Sequence, residues 1–328
     1  MKPLLADRFP GLQHAAGRLG GGSDVLGLDD AVSRDHDWGL RLNLMVPPDL
    51  VSPVETELES RLPLQFRGLP VRFAFTGESA AQHHIEVGTL TSFLVSRLGF
   101  DPRERLSAQD WLSLSGQSVL EVTAGPLFAD DGGEVERARS ALTWYPDDVW
   151  RYVLAADWIR LGQELPLMSR AGDAGDDRGS RIIAGRLSHV VMHLAFLLEQ
   201  RWPPYAKWLG AMFGQLECAP TVGASIDQTL RADSWRDRQD SLAASLRVLL
   251  DMQNDLSLTE TVSTATIPFW DRPYLHAEPA IASVLVAHIE DPAVRALPLG
   301  LGSIEQRTDL VDLLINPEER RRAVGAPG

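Results

Sequence analysis

The hydrophobic period of this chain changes near Pro146, and that change limits what it can fold into. Before it, apolar residues recur at every second position in short runs. After it, they recur every three to four positions. The first spacing belongs to strands and the second to helices. A sheet-containing N-terminal part followed by a helical C-terminal part is the expected plan. Trp38 to Val46 sets Leu40, Leu42 and Leu44 on one face and Arg41 and Asn43 on the other, and Pro47-Pro48 ends this strand. Val71–Thr76 and His84–Thr89 predict two more strands, joined in hairpin fashion through Gly77. Leu50 to Leu62 reads as an amphipathic helix carrying Val54, Leu58 and Leu62. Further helices are predicted over 147–163, 181–200, from Pro204 to Leu216, over 235–255, and through a tail from 280 to 314. Residues 170–179 read as a polar loop, and the break between domains is expected within 125–146.

Composition narrows the function classes. The 328 residues exceed the usual size of a single core. With 31 Lys+Arg against 45 Asp+Glu the net charge is −14, which argues against coating a nucleic-acid backbone or an anionic membrane. One cysteine, Cys218, excludes an internal disulfide framework and fits a reducing compartment. The first eleven residues lack the apolar core of a signal peptide, and no apolar run reaches the roughly 18 residues a spanning helix needs. A cytoplasmic location is expected.

The polar chemistry concentrates between Gly20 and Val46. Gly20-Gly21-Gly22-Ser23 is followed, after eleven intervening residues, by Asp35-His36-Asp37 and then by the first strand. Two carboxylates at i and i+2 of a strand share a face. Their like charges are unfavourable together unless a cation neutralises them. Magnesium takes hard oxygen ligands and keeps positions open for phosphate oxygens. A glycine turn brings backbone N–H groups close to a phosphate, and Ser23 adds a hydroxyl. The alternative is that these acids cap turns, which Asp does well.

This order and spacing resembles the signature of the polymerase-beta-type nucleotidyltransferase superfamily. Gly22 and Ser23 match its Gly-Ser pair, and Asp35 and Asp37 match its two acids flanking one residue. The wider chain, through the runs SRDHDWG, WYPDDVW and PPYAKWLG, resembles a poorly characterised family of bacterial proteins that carry this domain. The plan is similar to that of aminoglycoside nucleotidyltransferases. The resemblance implies an α/β (α+β) nucleotidyltransferase domain with a small mixed sheet over 1–140, followed by an α-helical bundle domain over 141–328. It implies transfer of a nucleoside monophosphate from a triphosphate, with ATP the expected donor, to a hydroxyl of a small molecule or a protein. Asp35 and Asp37 would hold two Mg2+ ions. Glu86, an acid between Ile85 and Val87, would be the third acid and the general base. Gly22 and Ser23 would cradle the terminal phosphates, and pyrophosphate would leave. No membrane is expected as partner and no nucleic acid. Two features depart from the pattern: His36 between the acids, and a spacer containing Asp24, Asp29 and Asp30. They suit a second reading, a catalytically weakened nucleotide-binding module with a regulatory or toxin–antitoxin-like role. A plain interaction protein on this scaffold is the third.

Other residues carry weaker signals. Lys207, one of only two lysines, lies between Tyr205 and Trp208 and could meet a triphosphate as a compact cation or lie over the indole. His84 shares a strand face with Glu86 and reads as a site neighbour or a surface turn. His189 and His193, four apart, read as a solvated or cleft-facing stripe, since HVVMH lacks the glutamate of the zinc-protease motif. Arg178 and Arg181 read as a surface ion-pair cluster or as part of the acceptor side.

Overall fold

The computed structural model describes residues 2–30, 39–75, 77 and 79–326. It divides into two compact units. The first comprises Met1–Leu106, Ser118–Thr143 and Ile315–Glu318; the second comprises Ser107–Gln117, Trp144–Leu314 and Glu319–Gly328.

The first unit is built on a mixed five-stranded sheet. Its strands are β1 (Ala15–Gly17), β2 (Arg41–Met45), β3 (Arg72–Phe73), β4 (Gln82–Gly88) and β5 (Leu127–Asp130), in the order β3-β4-β2-β1-β5. β2 and β4 run parallel and the other pairs are antiparallel. The register sets Leu42 opposite Ile85, Asn43 opposite Glu86 and Leu44 opposite Val87. Strand alternation therefore separates two faces. Leu44, Val46 and Ala16 form one face, with Ile85 and Val87 packed against it. Helix α1 (Val51–Arg61) seats Val54 and Leu58 on that face, both fully buried. Arg41, Asn43, His84 and Glu86 fall on the other. Helix α2 (Leu90–Leu98) follows β4, opened by a Thr89–Ser92 capping box and closed by left-handed Gly99. The strand expected from Trp38 begins instead at Arg41, and the one expected over 71–76 narrows to two residues; β3 and β4 do form the expected hairpin. Asp35, His36 and Asp37 lie outside the described residues.

The second unit is helical. Helix α3 (Asp147–Asp173) packs on α4 (Asp177–Leu198) and on α7 (Trp235–Asp255). Between α4 and α7 the chain forms α5 (Ala206–Phe213) and α6 (Ala219–Arg231). After α7 come a hairpin of β6 (Thr266–Pro268) and β7 (Leu275–Ala277), then α8 (Pro279–Ala287). α3 runs ten residues beyond its expected end, straight through Pro166. Proline there lacks the N–H that would bond to the Gly162 carbonyl, but Leu165 and Met168 are buried to 1% and 0%, so packing outweighs the local penalty. The polar loop expected over 170–179 shrinks to a turn at Ala174–Asp176, with Asp176 capping α4 through Gly179 N. α4 is long and apolar enough to pass for a membrane span, yet Leu187, Val190, Val191, Leu194 and Leu198 are buried within the unit. The hairpin and α6 were not legible in the sequence.

Segment 107–117 belongs to the helical unit although it lies far up the chain. Trp111, Leu112 and Leu114 are buried there. Ser115 Oγ donates to Leu314 O at 2.8 Å, Gly116 N to Glu305 at 2.8 Å, and Arg320 Nε to Ser113 O at 2.9 Å.

Candidate active site

The glycine turn leaves the end of β1 and is fixed at its N-terminal end. Arg18 N donates to Pro126 O at 2.9 Å, Leu19 N to Asn43 Oδ1 at 2.9 Å and Gly20 N to Glu121 O at 2.7 Å. Gly22 adopts φ 141°, and a Cβ there would run into the Asp24 carboxylate and the Arg18 guanidinium. Arg18 is buried and braces the turn. It donates through Nε and Nη2 to the two Asp24 oxygens at 2.5 and 2.8 Å, through Nη2 to Gly21 O at 2.9 Å, and through Nη1 to Leu19 O. Arg41 Nη2 also donates to Gly21 O, at 2.8 Å. The awkward Asp24 of the spacer is thus neutralised inside the turn. Ser23 Oγ donates to Asp29 at 2.5 Å.

The backbone N–H groups of Gly21, Gly22, Ser23 and Asp24 donate to no acceptor among the described residues. These residues are partly exposed. Four consecutive N–H groups without an acceptor among the described residues, with arginines beside them, are the donor set that anion-binding turns use. The third arginine is Arg97 of α2, whose Nη2 lies 3.2 Å from where a Gly20 Cβ would stand.

Glu86 is the acid on the same sheet face. Its Oε2 accepts from Asn43 Nδ2 at 2.9 Å and meets Arg97 Nη2 at 3.5 Å. Its Oε1 accepts no hydrogen bond from a described residue, and the side chain is 56% exposed. Arg97 also lies 3.7 Å from Glu121. Glu86 stands at a cavity of about 870 Å³ lined by Arg41, His84 and Ile85 of the sheet, by Phe75 just after β3, and by Glu55 and Glu59 of α1. His84 stacks on Phe75 at 3.7 Å and hydrogen-bonds to Phe73 O through Nε2 at 2.9 Å. His83 pairs with Glu59 at 3.1 Å; burial lowers its pKa against the pull of that carboxylate.

The structure therefore brings Gly22, Ser23 and Glu86 into one unit, connected through Asn43. The sequence reading passed over Arg18, Asn43, Arg97 and Glu121. An uncharged amide alternating with Leu42 and Leu44 on β2 is the one sequence signal for Asn43. Among the described residues no group of three His, Cys, Asp or Glu is arranged to hold a metal. Glu86 contributes one hard oxygen donor of the kind magnesium takes.

The remaining candidates lie in the helical unit. Lys207 at the start of α5 stands with Nζ 4.7 Å from the Trp208 ring centroid, a cation–π geometry. Arg181 is tied to Asp177 at 2.6 Å and Asp233 at 3.4 Å on an exposed face. His193 is not on a solvated stripe. It is 6% exposed, because α3 and the 303–307 turn cover that side of α4. Its Nδ1 lies 2.7 Å from Asp157 Oδ2 and its Nε2 3.9 Å from Glu305. Gln306 Nε2 closes the cluster on Asp157 Oδ1 at 2.7 Å. Burial alone would lower the imidazole pKa, but the charge and hydrogen bond of Asp157, with Glu305, hold it up to about 10. His189 lies 3.9 Å from Asp309, and burial lowers its pKa.

Residues 111–209 match the model of a domain of unknown function (DUF4037). No curated protein matches the chain. Among solved structures, it is similar to a nucleotidyltransferase-like protein from Exiguobacterium sibiricum 255-15. That match has 12% identity, covers 77% of this chain and 76% of the other, and has a TM-score of 0.35.

Proposed function

We propose that this protein is a magnesium-dependent nucleotidyltransferase. It would move a nucleoside monophosphate from a triphosphate, ATP first among candidates, to a hydroxyl of a small molecule or a protein. One observation carries the reading: the Arg97 guanidinium lies against the glycine turn at Gly20 and also meets the exposed Glu86 carboxylate, which places that carboxylate next to a turn whose residue 21–24 N–H groups donate to no described residue. The turn binds the terminal phosphates, with Arg41 and Arg97 adding positive charge. Glu86 takes the proton of the attacking hydroxyl as its oxygen bonds to the α-phosphorus, while the bond to the bridging oxygen of the β-phosphate breaks and pyrophosphate departs. Asp35, Asp37 and Glu86 would hold Mg2+, which supplies Lewis-acid polarisation of the phosphoryl oxygens when bound. A cytoplasmic site of action belongs to this proposal, as does Lys207 as a cation for the triphosphate.

Asp35→Asn and Asp37→Asn should each abolish magnesium-dependent nucleotide binding or pyrophosphate release without changing thermal unfolding. Variants that bind metal–nucleotide as tightly as the parent would remove both residues from the site. For Lys207, nucleotide affinity decides: unchanged binding in Lys207→Ala leaves it over Trp208. The second reading, a weakened nucleotide-binding module, draws on the commitment of the Ser23 hydroxyl to Asp29. Labelled triphosphates incubated with magnesium and cell extract separate the two, since binding without label transfer or pyrophosphate identifies the second.

A further inference from the structure

We infer that Asn43 is the positioning residue of this site, acting through Glu86 and resting on the nucleotidyltransferase reading above. Asn43 is 5% exposed and lies on β2 directly opposite Glu86 in a parallel pair, so both side chains rise from the same face. A primary amide has two ends of opposite character, and both are used. Leu19 N–H donates to Oδ1, which fixes which way the amide points. The NH2 group is thereby turned toward Glu86 and donates to Oε2. That bond holds one carboxylate oxygen and leaves Oε1, which accepts from no described residue, for the chemistry. The Leu19 bond lies two residues before the free N–H groups of the turn. One buried side chain thus connects the phosphate-binding turn to the acid. No other residue type of this size offers an acceptor and a donor in this fixed geometry. Leucine would strand the Leu19 N–H, and aspartate would set two carboxylates against each other.

The test is a double-mutant cycle with Asn43→Ala, Glu86→Gln and the pair, with Asn43→Asp as a second probe in case the alanine variant is poorly folded. Two quantities are read: pyrophosphate release with saturating magnesium and ATP, and Mn2+ affinity from the loss of its free-ion EPR signal, which needs no turnover. A residue that orients a ligand or an acid costs about 10–100-fold when removed. Asn43→Ala should lower kcat by at least tenfold and weaken Mn2+ binding, with KM for ATP changed by less than threefold. In the Glu86→Gln background the same substitution should change both quantities by less than twofold, because the group it orients is gone. An equal loss in both backgrounds would make Asn43 merely structural and overturn the inference, as would parent-like behaviour of both Asn43 variants. If the parent neither binds Mn2+ with ATP nor releases pyrophosphate, the nucleotidyltransferase reading falls and this inference falls with it. That result is distinct from an active parent indifferent to Asn43.

Discussion

Raising the pH from 7 to 8.5 should destabilise the helical unit by about 2 kcal/mol, through one proton on His193. The imidazole is 7% exposed and lies between Asp157 and Glu305, whose side chains are 3% and 10% exposed. Its pKa is about 10 in the folded protein and near 6.5 in an open chain. The folded state therefore binds this proton more tightly. The resulting stability is complete below about pH 6.5 and is lost as pH rises toward 10. Between those limits each pH unit removes about 1.4 kcal/mol, so 1.5 units remove about 2. Cys218, whose thiol burial and Glu199 push up to about 12, adds only the start of a loss of the same sign near pH 8.5, where an open-chain thiol ionises. His83 and His189 have lowered pKa values, so their effects fall below neutrality. Burial raises the Tyr145 phenol, whose contribution is lost only above about pH 10, where an unfolded tyrosine ionises. Urea unfolding followed by tryptophan fluorescence reads the effect, because Tyr145, Trp150 and Trp202 pack around Trp144 in this unit. His193→Gln should be less stable by about 3–5 kcal/mol, since two buried carboxylates lose their cation, and most of the slope across the window should disappear, leaving only the small Cys218 contribution near pH 8.5. A parent slope under about 0.3 kcal/mol per pH unit would refute the assignment of the proton. So would an equal slope in the variant.

Three further outcomes are expected. Gly22→Ala should cost about 1–3 kcal/mol in the sheet unit, from a side chain forced to φ 141° against Arg18 and Asp24, and should weaken triphosphate binding, both readable by titration with thermal unfolding as control. Gly116→Ala should destabilise the helical unit by about 1–3 kcal/mol or more, because the new Cβ meets the Pro203 backbone, which cannot swing aside; unchanged urea midpoints would contradict this. Cys218 should react with a thiol reagent at pH 8 far more slowly than free cysteine, because burial and the neighbouring Glu199 push its pKa up to about 12.

Much of the sheet unit was legible because alternation is a local property. Leu42 and Leu44 against Arg41 and Asn43 gave β2 its faces, and the glycine turn announced itself. What escaped depends on contacts distant in sequence. Pro166 should end a helix by its own chemistry, and only the burial of its neighbours carries α3 past it. His193 looked solvated because a helical wheel cannot show that the 303–307 turn lies over that face. Asp157, a lone acid within the apolar run Leu154-Ala155-Ala156-Asp157-Trp158-Ile159, was the available sign of a buried partner. Arg18 and Asp24 are six apart across a turn, and their pairing appears only once the glycines have bent the chain.

The assignment of 107–117 to the helical unit bears on how this protein can be taken apart. The chain passes between its two units after residues 106, 117, 143, 314 and 318. A single protease cut at the apparent boundary near residue 140 therefore frees neither half. A fragment ending there keeps Trp111, Leu112 and Leu114 but loses the residues that bury them, and a fragment starting there lacks Ser113 and Ser115, which bond to Arg320 and Leu314. Such pieces should be recovered as aggregates rather than as modules.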